Sequence, residues 1–419
     1  MIDNNIYDVC IVGAGVAGST CAFYLAKLGI NTVVLEKKKF PRDKICGDAL
    51  FIQAQIHLKR MGVLQEVLKE NKGKWAASGG LVSPSGIEYY GDSSKEEVSH
   101  LAIAIKRKIL DEKMINAAIK QGAKLIEEYS VTDASLSHEK KFWTIMSDET
   151  ETVYKAKILI IADGSPSRLG RKLGFVDGPA QATCSRAYIE SGSHEYPYDG
   201  VTYYPSKLVP GYCSLFKQAN GDVGYCCYII PGGKATIGDL RELHHEFIAN
   251  DPYMSKAIGP NPKLEKMKAA PIRSGGIDKS FSDNLMIVGD AAGHNDPLTG
   301  GGIQYSMDAA EIAANTAKEA LSKNTFHKKF FSRYQKKWMK AFGRDFKWSQ
   351  RMINVFVKRP IFIDAFAEVC NKKGDKFMRE WAKIMCGARR KVTFFTPRLA
   401  LPLLFATMRL KRKNRKKAR

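Results

Sequence analysis

Three glycines and one acid carry the first chemical signal in this 419-residue chain. Gly13, Gly15 and Gly18 follow the apolar run Val9-Cys10-Ile11-Val12, and Glu36 ends a second run, Thr32-Val33-Val34-Leu35. Strand, glycine turn, helix, strand and acid in that order form a dinucleotide-binding unit. Gly13 permits the tight turn, Gly15 lets a pyrophosphate approach the backbone, and Gly18 lets the helix lie close to the sheet. The N–H groups at the start of that helix point at phosphate. Glu36 can accept hydrogen bonds from ribose hydroxyls.

Two more strand ends carry an acid beside small residues. Ile158-Leu159-Ile160-Ile161 runs into Asp163-Gly164, and Leu285-Met286-Ile287-Val288 runs into Gly289-Asp290. The C-terminal ends of strands are where open α/β sheets bind ligands. Asp290 can take a ribitol or ribose hydroxyl. Gly300, Gly301 and Gly302 precede a helical segment and can offer backbone donors to a phosphate or a flavin ring. Plain turns with aspartate caps would explain one such site, but poorly explain three.

The elements that must position these residues are interleaved. Residues 1 to about 70 and 101–175 read as α/β layers, with a helix over Lys108–Gln121. Residues 123–161 read as a β-meander. Residues 75–90 and 181–231 read as antiparallel strands, with Asn220-Gly221 as a hairpin turn. The chain then returns to the first layer with a strand over Asn284–Val288 and a helix over Gly302–Lys318.

The order of the glycine loop with Glu36, Asp163-Gly164 and Gly289-Asp290 resembles FAD proteins of the para-hydroxybenzoate hydroxylase-like class. Within that class the chain is most similar to the geranylgeranyl reductase family, over about residues 5–320. The markers are Phe40-Pro41-Arg42-Asp43-Lys44-Ile45-Cys46-Gly47-Asp48, Arg107 with Leu110-Asp111, and Gly289-Asp290 through Pro297-Leu298-Thr299-Gly300. The implied fold is a Rossmann-like FAD-binding domain interleaved with an antiparallel-sheet substrate domain, followed by a helical basic extension. The expected boundaries are 1–71, 101–177 and 272–325 for the FAD domain, 72–100 and 178–271 for the substrate domain, and 326–419 for the extension. The resemblance implies an FAD site of Gly13, Gly15, Ala17, Gly18, Glu36, Lys37, Cys46, Gly47, Arg107, Asp163, Gly164, Gly289, Asp290, Gly300, Gly301, Gly302 and Ile303.

The implied activity is reduction of isoprenoid double bonds by hydride from reduced flavin plus a proton. Cys46 is the candidate proton donor or flavin-positioning thiol. Asp48 could instead cap the next helix. Tyr212, Ser214, Phe216 and Pro297 are the candidate substrate residues. The family's YxWxFP-like stretch corresponds to Tyr212-Cys213-Ser214-Leu215-Phe216-Lys217, so Ser214 replaces tryptophan and Lys217 replaces proline. Losing an indole widens the pocket. An FAD monooxygenase or halogenase on the same fold is the alternative; no WxWxIP stretch supports halogenation. A third reading is a flavoprotein without catalysis that acts as a membrane-bound binding protein. No second GxGxxG is present for a nicotinamide cofactor. Electrons are therefore expected from NAD(P)H through the shared cleft, or from a reduced protein such as ferredoxin.

Charge is divided unevenly. Residues 327–419 hold 28 Lys and Arg against 5 Asp and Glu, so the whole excess of +23 lies there and residues 1–326 are neutral. The simplest expectation is a neutral catalytic body with a basic appendage. Phe326–Trp348 mixes basic residues with aromatics, Val392–Met408 is apolar but broken by Pro397, Arg398 and Pro402, and Arg409–Arg419 has eight basic residues in eleven. This suits binding in the plane of an anionic membrane, each basic residue adding about 1 kcal/mol. Nucleic acid is the less favoured partner, since no recognition motif accompanies the charge. No stretch reaches the ~20 apolar residues of a membrane span. Asp3 and Asp8 argue against a secretory signal.

The nine cysteines are scattered without a CxxC pair, which suits free thiols and a cytoplasmic protein attached peripherally to a membrane. Neighbouring strand residues face opposite ways, which argues against a redox pair at Cys226-Cys227. The eight histidines lack metal-ligand spacing and read mostly as surface or loop residues, so no metal is expected.

Overall fold

A computed structural model describes residues 2–92, 101–137, 139, 141–230 and 235–417. Residues 93–100 of the expected substrate domain and the last two residues of the basic tail lie outside the described residues.

Among the described residues, an eight-stranded sheet forms the first layer. Its parallel core is Leu285–Ile287, Thr150–Ile161, Ile2–Val12, Thr32–Leu35 and Lys124–Ile126. These strands are near-continuous runs of Val, Ile and Leu because both faces are covered. Register decides where their ends fall. Val12 lies opposite both Ile161 and Leu35, and Ile161 lies opposite Ile287. The glycine loop, Glu36, Asp163 and Asp290 therefore leave one edge of the sheet together. Lys124–Ile126 pairs in parallel with Thr32–Leu35, so it belongs to this core. The antiparallel meander is confined to Asp133–Ser137, Phe142–Ser147 and Thr150–Ile161.

The helices Val16–Lys27 and Ile303–Ser322 pack on one face. The second helix is alanine-rich where it is buried, at Ala309, Ala310, Ala313, Ala314 and Ala317, so the two backbones can approach closely.

A seven-stranded sheet forms the second layer, in the order Lys268–Ile272, Ala182–Ile189, Val223–Ile229, Tyr212–Lys217, Gly200–Tyr203, Ser78–Val82, Glu88–Asp92. All of its pairings are antiparallel except Gly200–Tyr203 with Ser78–Val82. Gly221, at φ +86°, turns the chain between Tyr212–Lys217 and Val223–Ile229. Both faces of this sheet are buried. Cys226 packs with Cys184 toward the first layer's loops, and Cys227 packs with Cys213 on the far side. The vicinal cysteines do face opposite ways, yet each is inside.

The C-terminal region is not an appendage. Phe330, Phe331, Tyr334, Trp338, Phe342 and Phe346 enter the core of the first layer. Met352, Phe366, Phe377, Ile384, Phe394 and Leu399 build the core over the second sheet. Most basic residues between 328 and 390 occupy the outer faces of amphipathic helices whose apolar faces pack inward. The expectation that the aromatics of 326–348 accompany the charge to a membrane is corrected here: six of them are core. Three histidines also depart from the surface reading, since His57, His244 and His294 are buried. His57 bonds Tyr24 and Asp308, both at 2.9 Å, Gly289 N–H donates to His294 Nδ1 at 3.2 Å, and aromatic rings pack on His244 and His294.

Candidate active site

The strand ends make a strip that suits a dinucleotide. Gly13, at φ +98°, sits so close to the next strand that a β-carbon would stand 2.5 Å from the Ala162 carbonyl oxygen. A β-carbon on Gly18 would stand 1.9 Å from the Gly13 carbonyl oxygen. These two glycines are therefore required by packing. Gly15 and Gly164 differ, because a β-carbon there meets nothing closer than 3.9 Å. They leave open backbone, as a pyrophosphate cradle needs. No side chain caps the helix starting at Val16, or the helix starting at Ile303 behind Gly302. Ala17 is buried under Gly289, where a β-carbon would approach it to 2.6 Å, which fixes the first helix against the Asp290 turn.

Charged groups line this strip. Glu36 accepts from Ala14 N–H at 2.9 Å and from Lys38 N–H at 3.1 Å, and Arg42 reaches it at 3.3 Å. Lys44 pairs with Asp290 at 3.0 Å, and Lys37 lies exposed beyond Glu36. Arg107 grips Asp111 through two bonds of 2.7 and 2.8 Å, and Arg42 adds a third at 2.8 Å. Burial pushes the Asp111 carboxyl up, but the two guanidinium groups hold it below the usual range. Open glycine backbone, two helix starts and an acid at the ribose position fit FAD. Bound there, its ADP half would lie along Gly13–Gly18 and Glu36, and its ring end toward Cys46 and Gly300–Ile303.

Asp163 has partners of its own within the chain. Its carboxylate accepts from Ser167 Oγ at 2.7 Å and Leu169 N–H at 3.0 Å, so it caps the next short helix. Asp48 is the converse case. The next helix starts at Ile52 behind Phe51, and the Asp48 side chain is bonded to Tyr188 instead.

A cavity of about 430 Å³ opens beside the ring end of the strip. Cys46, Gly47, Asp48, Gly300, Gly301, Gly302 and Ile303 line one side, and Tyr212, Ser214, Phe216, Cys226 and Tyr228 form the floor. A β-carbon on Gly47 would touch Cys226 Sγ at 3.7 Å and Ser214 Oγ at 3.9 Å, so this loop lies directly on the sheet. Tyr212 donates to the Thr299 carbonyl, and Tyr228 donates to the Pro297 carbonyl at 3.2 Å. Those bonds tie the floor to the glycine loop. Pro297 itself is buried beneath that loop and is not among the lining residues. Cys46 is half-buried, and its sulfur accepts from Asp48 N–H at 3.4 Å. Burial raises its thiol above the usual range, although the Arg107 charge pulls the other way.

The cavity roof was not foreseen from the sequence. It is Phe356, Phe366, Met378 and Trp381, from the basic C-terminal helices. Phe366 and Trp381 stack with centroids 3.9 Å apart, and Phe394 backs Trp381 at 4.3 Å. The spacing Phe377, Trp381, Ile384 is a helical apolar stripe that could have revealed a packed face.

Among the described residues no cluster of three metal-ligating side chains occurs, and no helix is long and apolar enough to cross a membrane.

A family model described as FAD binding domain matches residues 6–323. The digeranylgeranylglycerophospholipid reductase of Methanosarcina acetivorans is 30% identical over 366 residues, covering 84% of this chain and 85% of that protein. This chain belongs to the geranylgeranyl reductase family of FAD-dependent oxidoreductases. Another relative within reach of this reductase-family chain is conditioned medium factor receptor 1 of Dictyostelium discoideum, 44% identical over 406 residues, 94% of this chain and 79% of that protein. A geranylgeranyl bacteriochlorophyll reductase-like structure from Thermoplasma acidophilum shares the fold of this family member, with a TM-score of 0.80 at 21% identity, over 97% of this chain and 100% of that one.

Proposed function

We propose that this oxidoreductase saturates carbon–carbon double bonds of isoprenoid chains, in lipids, quinones or prenyl diphosphates. The observation that carries the reading is the cavity. It is walled by tyrosine, phenylalanine, tryptophan and methionine, and it abuts the ring end of the FAD strip. FAD, when bound and reduced, supplies a hydride. The chain's own residues do the rest. Phe366, Trp381 and Tyr212 hold an apolar chain and exclude water. The glycine loop at 300–302 sets the chain's distance from the cofactor, because the tyrosine bonds to Thr299 and Pro297 fix that loop. Cys46, beside Arg107, positions the ring end. Electrons come from NAD(P)H or from a reduced protein such as ferredoxin.

The substrate reaches the cavity from an anionic membrane at the cytoplasmic face. Leu401, Leu404, Phe405 and Met408 are 47%, 49%, 60% and 42% exposed, at one-face helical spacing on Pro397–Lys417. Basic residues from Arg409 onward continue the same helix. An exposed apolar stripe that runs into a polybasic end suits binding in the plane of a bilayer.

The test is anaerobic incubation of pre-reduced protein with geranylgeranylated lipid, followed by mass spectrometry. A gain of two hydrogens per bond supports the reading. Incorporated oxygen in the presence of air would favour a monooxygenase instead. The name of the 44%-identical relative favours a second reading, a receptor. That reading requires a partner protein and leaves prenyl chains unchanged in the same assay.

A further inference from the structure

We propose that Asp48 donates the proton of the reduction, as a carboxylic acid in the cavity wall with one oxygen held by Tyr188 and the other left unbonded. The inference rests on the reductase reading above and assigns a residue to the half of the reaction that the hydride does not supply.

Asp48 is fully buried and lines the cavity. Its Oδ2 accepts from the Tyr188 hydroxyl, and its Oδ1 has no hydrogen-bond partner. A buried carboxylate with a bare oxygen is costly, whereas a carboxylic acid with its proton on that oxygen is not. The backbone at Asp48 is left-handed, with φ 60°, a conformation that Asp and Asn tolerate better than most residues. Because Gly47 lies against Cys226 and Ser214, the loop cannot simply swing the acid outward.

The acid's surroundings form a chain to the surface. Arg186 donates to the Tyr188 hydroxyl at 3.1 Å and grips Asp43 at 2.6 and 3.1 Å. Lys106 and Arg186 lie 4.4 and 4.3 Å from the centre of the Tyr188 ring. Asp43 is partly exposed and meets Lys268 at 3.5 Å. The groups acting on Asp48 are thus Tyr188, Arg186, Arg107 and Asp43, with the Cys46 and Cys226 thiols beside it. Burial is the largest influence and pushes the carboxyl up to about 6, while Tyr188, Arg186 and Arg107 pull it back. An acid poised there is protonated often enough to act and gives its proton up readily.

The step balances as follows. The hydride brings two electrons to one alkene carbon. The π pair takes up the proton at the other carbon, so a C–H bond forms as the Asp48 O–H bond breaks. The carboxylate left behind keeps the Tyr188 hydrogen bond and the nearby Arg186 charge. It regains a proton from water when product leaves.

Asp48→Asn keeps the left-handed backbone and one hydrogen-bond acceptor but has no acidic proton. In single-turnover reduction with pre-reduced holoprotein, it is expected to slow saturation by about a hundredfold or more, with flavin content unchanged. Infrared titration gives a readout apart from activity: a protonated-carboxyl band that fades as pH rises through about 6 in the native protein and is absent in Asp48→Asn. Tyr188→Phe removes a bond that favours the carboxylate, so the band and the pH limb of turnover both shift to higher pH. Turnover by Asp48→Asn within about threefold of the native rate overturns the proposal, and so does a native protein lacking the titrating band. Native protein that saturates no prenyl chain overturns the reductase reading and the donor role together; the native arm alone tells that case apart.

Discussion

Lys391 donates to Asp296, and both side chains are wholly buried. The same Asp296 accepts from Leu298 N–H at 2.9 Å, Thr299 N–H at 3.2 Å and Ser349 Oγ at 2.9 Å. One carboxylate thus shapes the turn that enters the glycine loop and pins two C-terminal segments to it. Removing the lysine leaves a buried unpaired charge. Lys391→Met is expected to lose about 3–5 kcal/mol of unfolding free energy by urea titration. Adding Asp296→Asn should recover part of that loss. A loss under about 1 kcal/mol would mean the pair is not buried as described.

Gly18→Ala places a methyl carbon where the Gly13 carbonyl oxygen already lies, 1.9 Å away. The turn must open and the phosphate cradle must deform. Purified variant should weaken FAD binding by about tenfold or more, read from the flavin-to-protein absorbance ratio on dilution. Gly15→Ala meets only Arg42, at 3.9 Å, so any loss there reports the cofactor's own space.

The pH dependence of stability can be signed from Asp48. Its folded pKa is raised from 3.8 to about 6 by burial. The folded state therefore binds the proton more tightly than the unfolded chain, and Asp48 costs stability as pH rises through 4 to 6. Asp48→Asn removes that cost. Relative to native protein, its stability should improve by roughly 2 kcal/mol between pH 4 and pH 7. Chemical denaturation at the two pH values checks it; a constant difference refutes it.

Cys46→Ser tests the thiol. With Asp48 as acid and Cys46 as a positioning group, turnover of pre-reduced enzyme should fall by less than about tenfold. A loss as large as that of Asp48→Asn would return the proton-donor role to the sulfur.

Phe405→Ser removes the most exposed large apolar side chain of the C-terminal helix, 60% accessible. Affinity for phosphatidylserine vesicles should weaken by about 2 kcal/mol, roughly thirtyfold, by co-sedimentation. Deleting 392–417 should abolish binding altogether. Undiminished binding in either case sinks the membrane assignment.

The FAD strip was legible because its signals are local: a β-branched run, a glycine turn and an acid within 28 residues. The cavity roof was not legible, because its apolar face is diluted by lysine and arginine on the outer face, and charge dominated the reading of 327–419. Lys391 shows the same difficulty. Nothing in its neighbours distinguishes it from the exposed lysines, yet a carboxylate 95 residues away draws it inside. Asp163 sits in the expected motif, but a serine four residues on takes its side chain. Asp48 was legible only as a possible cap, since its burial comes from Tyr188 and Arg186 on a distant strand.

Phe394 and Phe395 are adjacent in sequence but serve opposite environments. One backs the Trp381 wall, and the other stands 57% exposed against the Trp348 ring. The chain thus passes from the packing behind the cavity wall to the open surface between one residue and the next. Each methylene of a prenyl tail forced through water costs about 0.8 kcal/mol. On the membrane seat proposed above, a tail entering beside this segment would wet only a few carbons at any instant, and its delivery would need no soluble carrier.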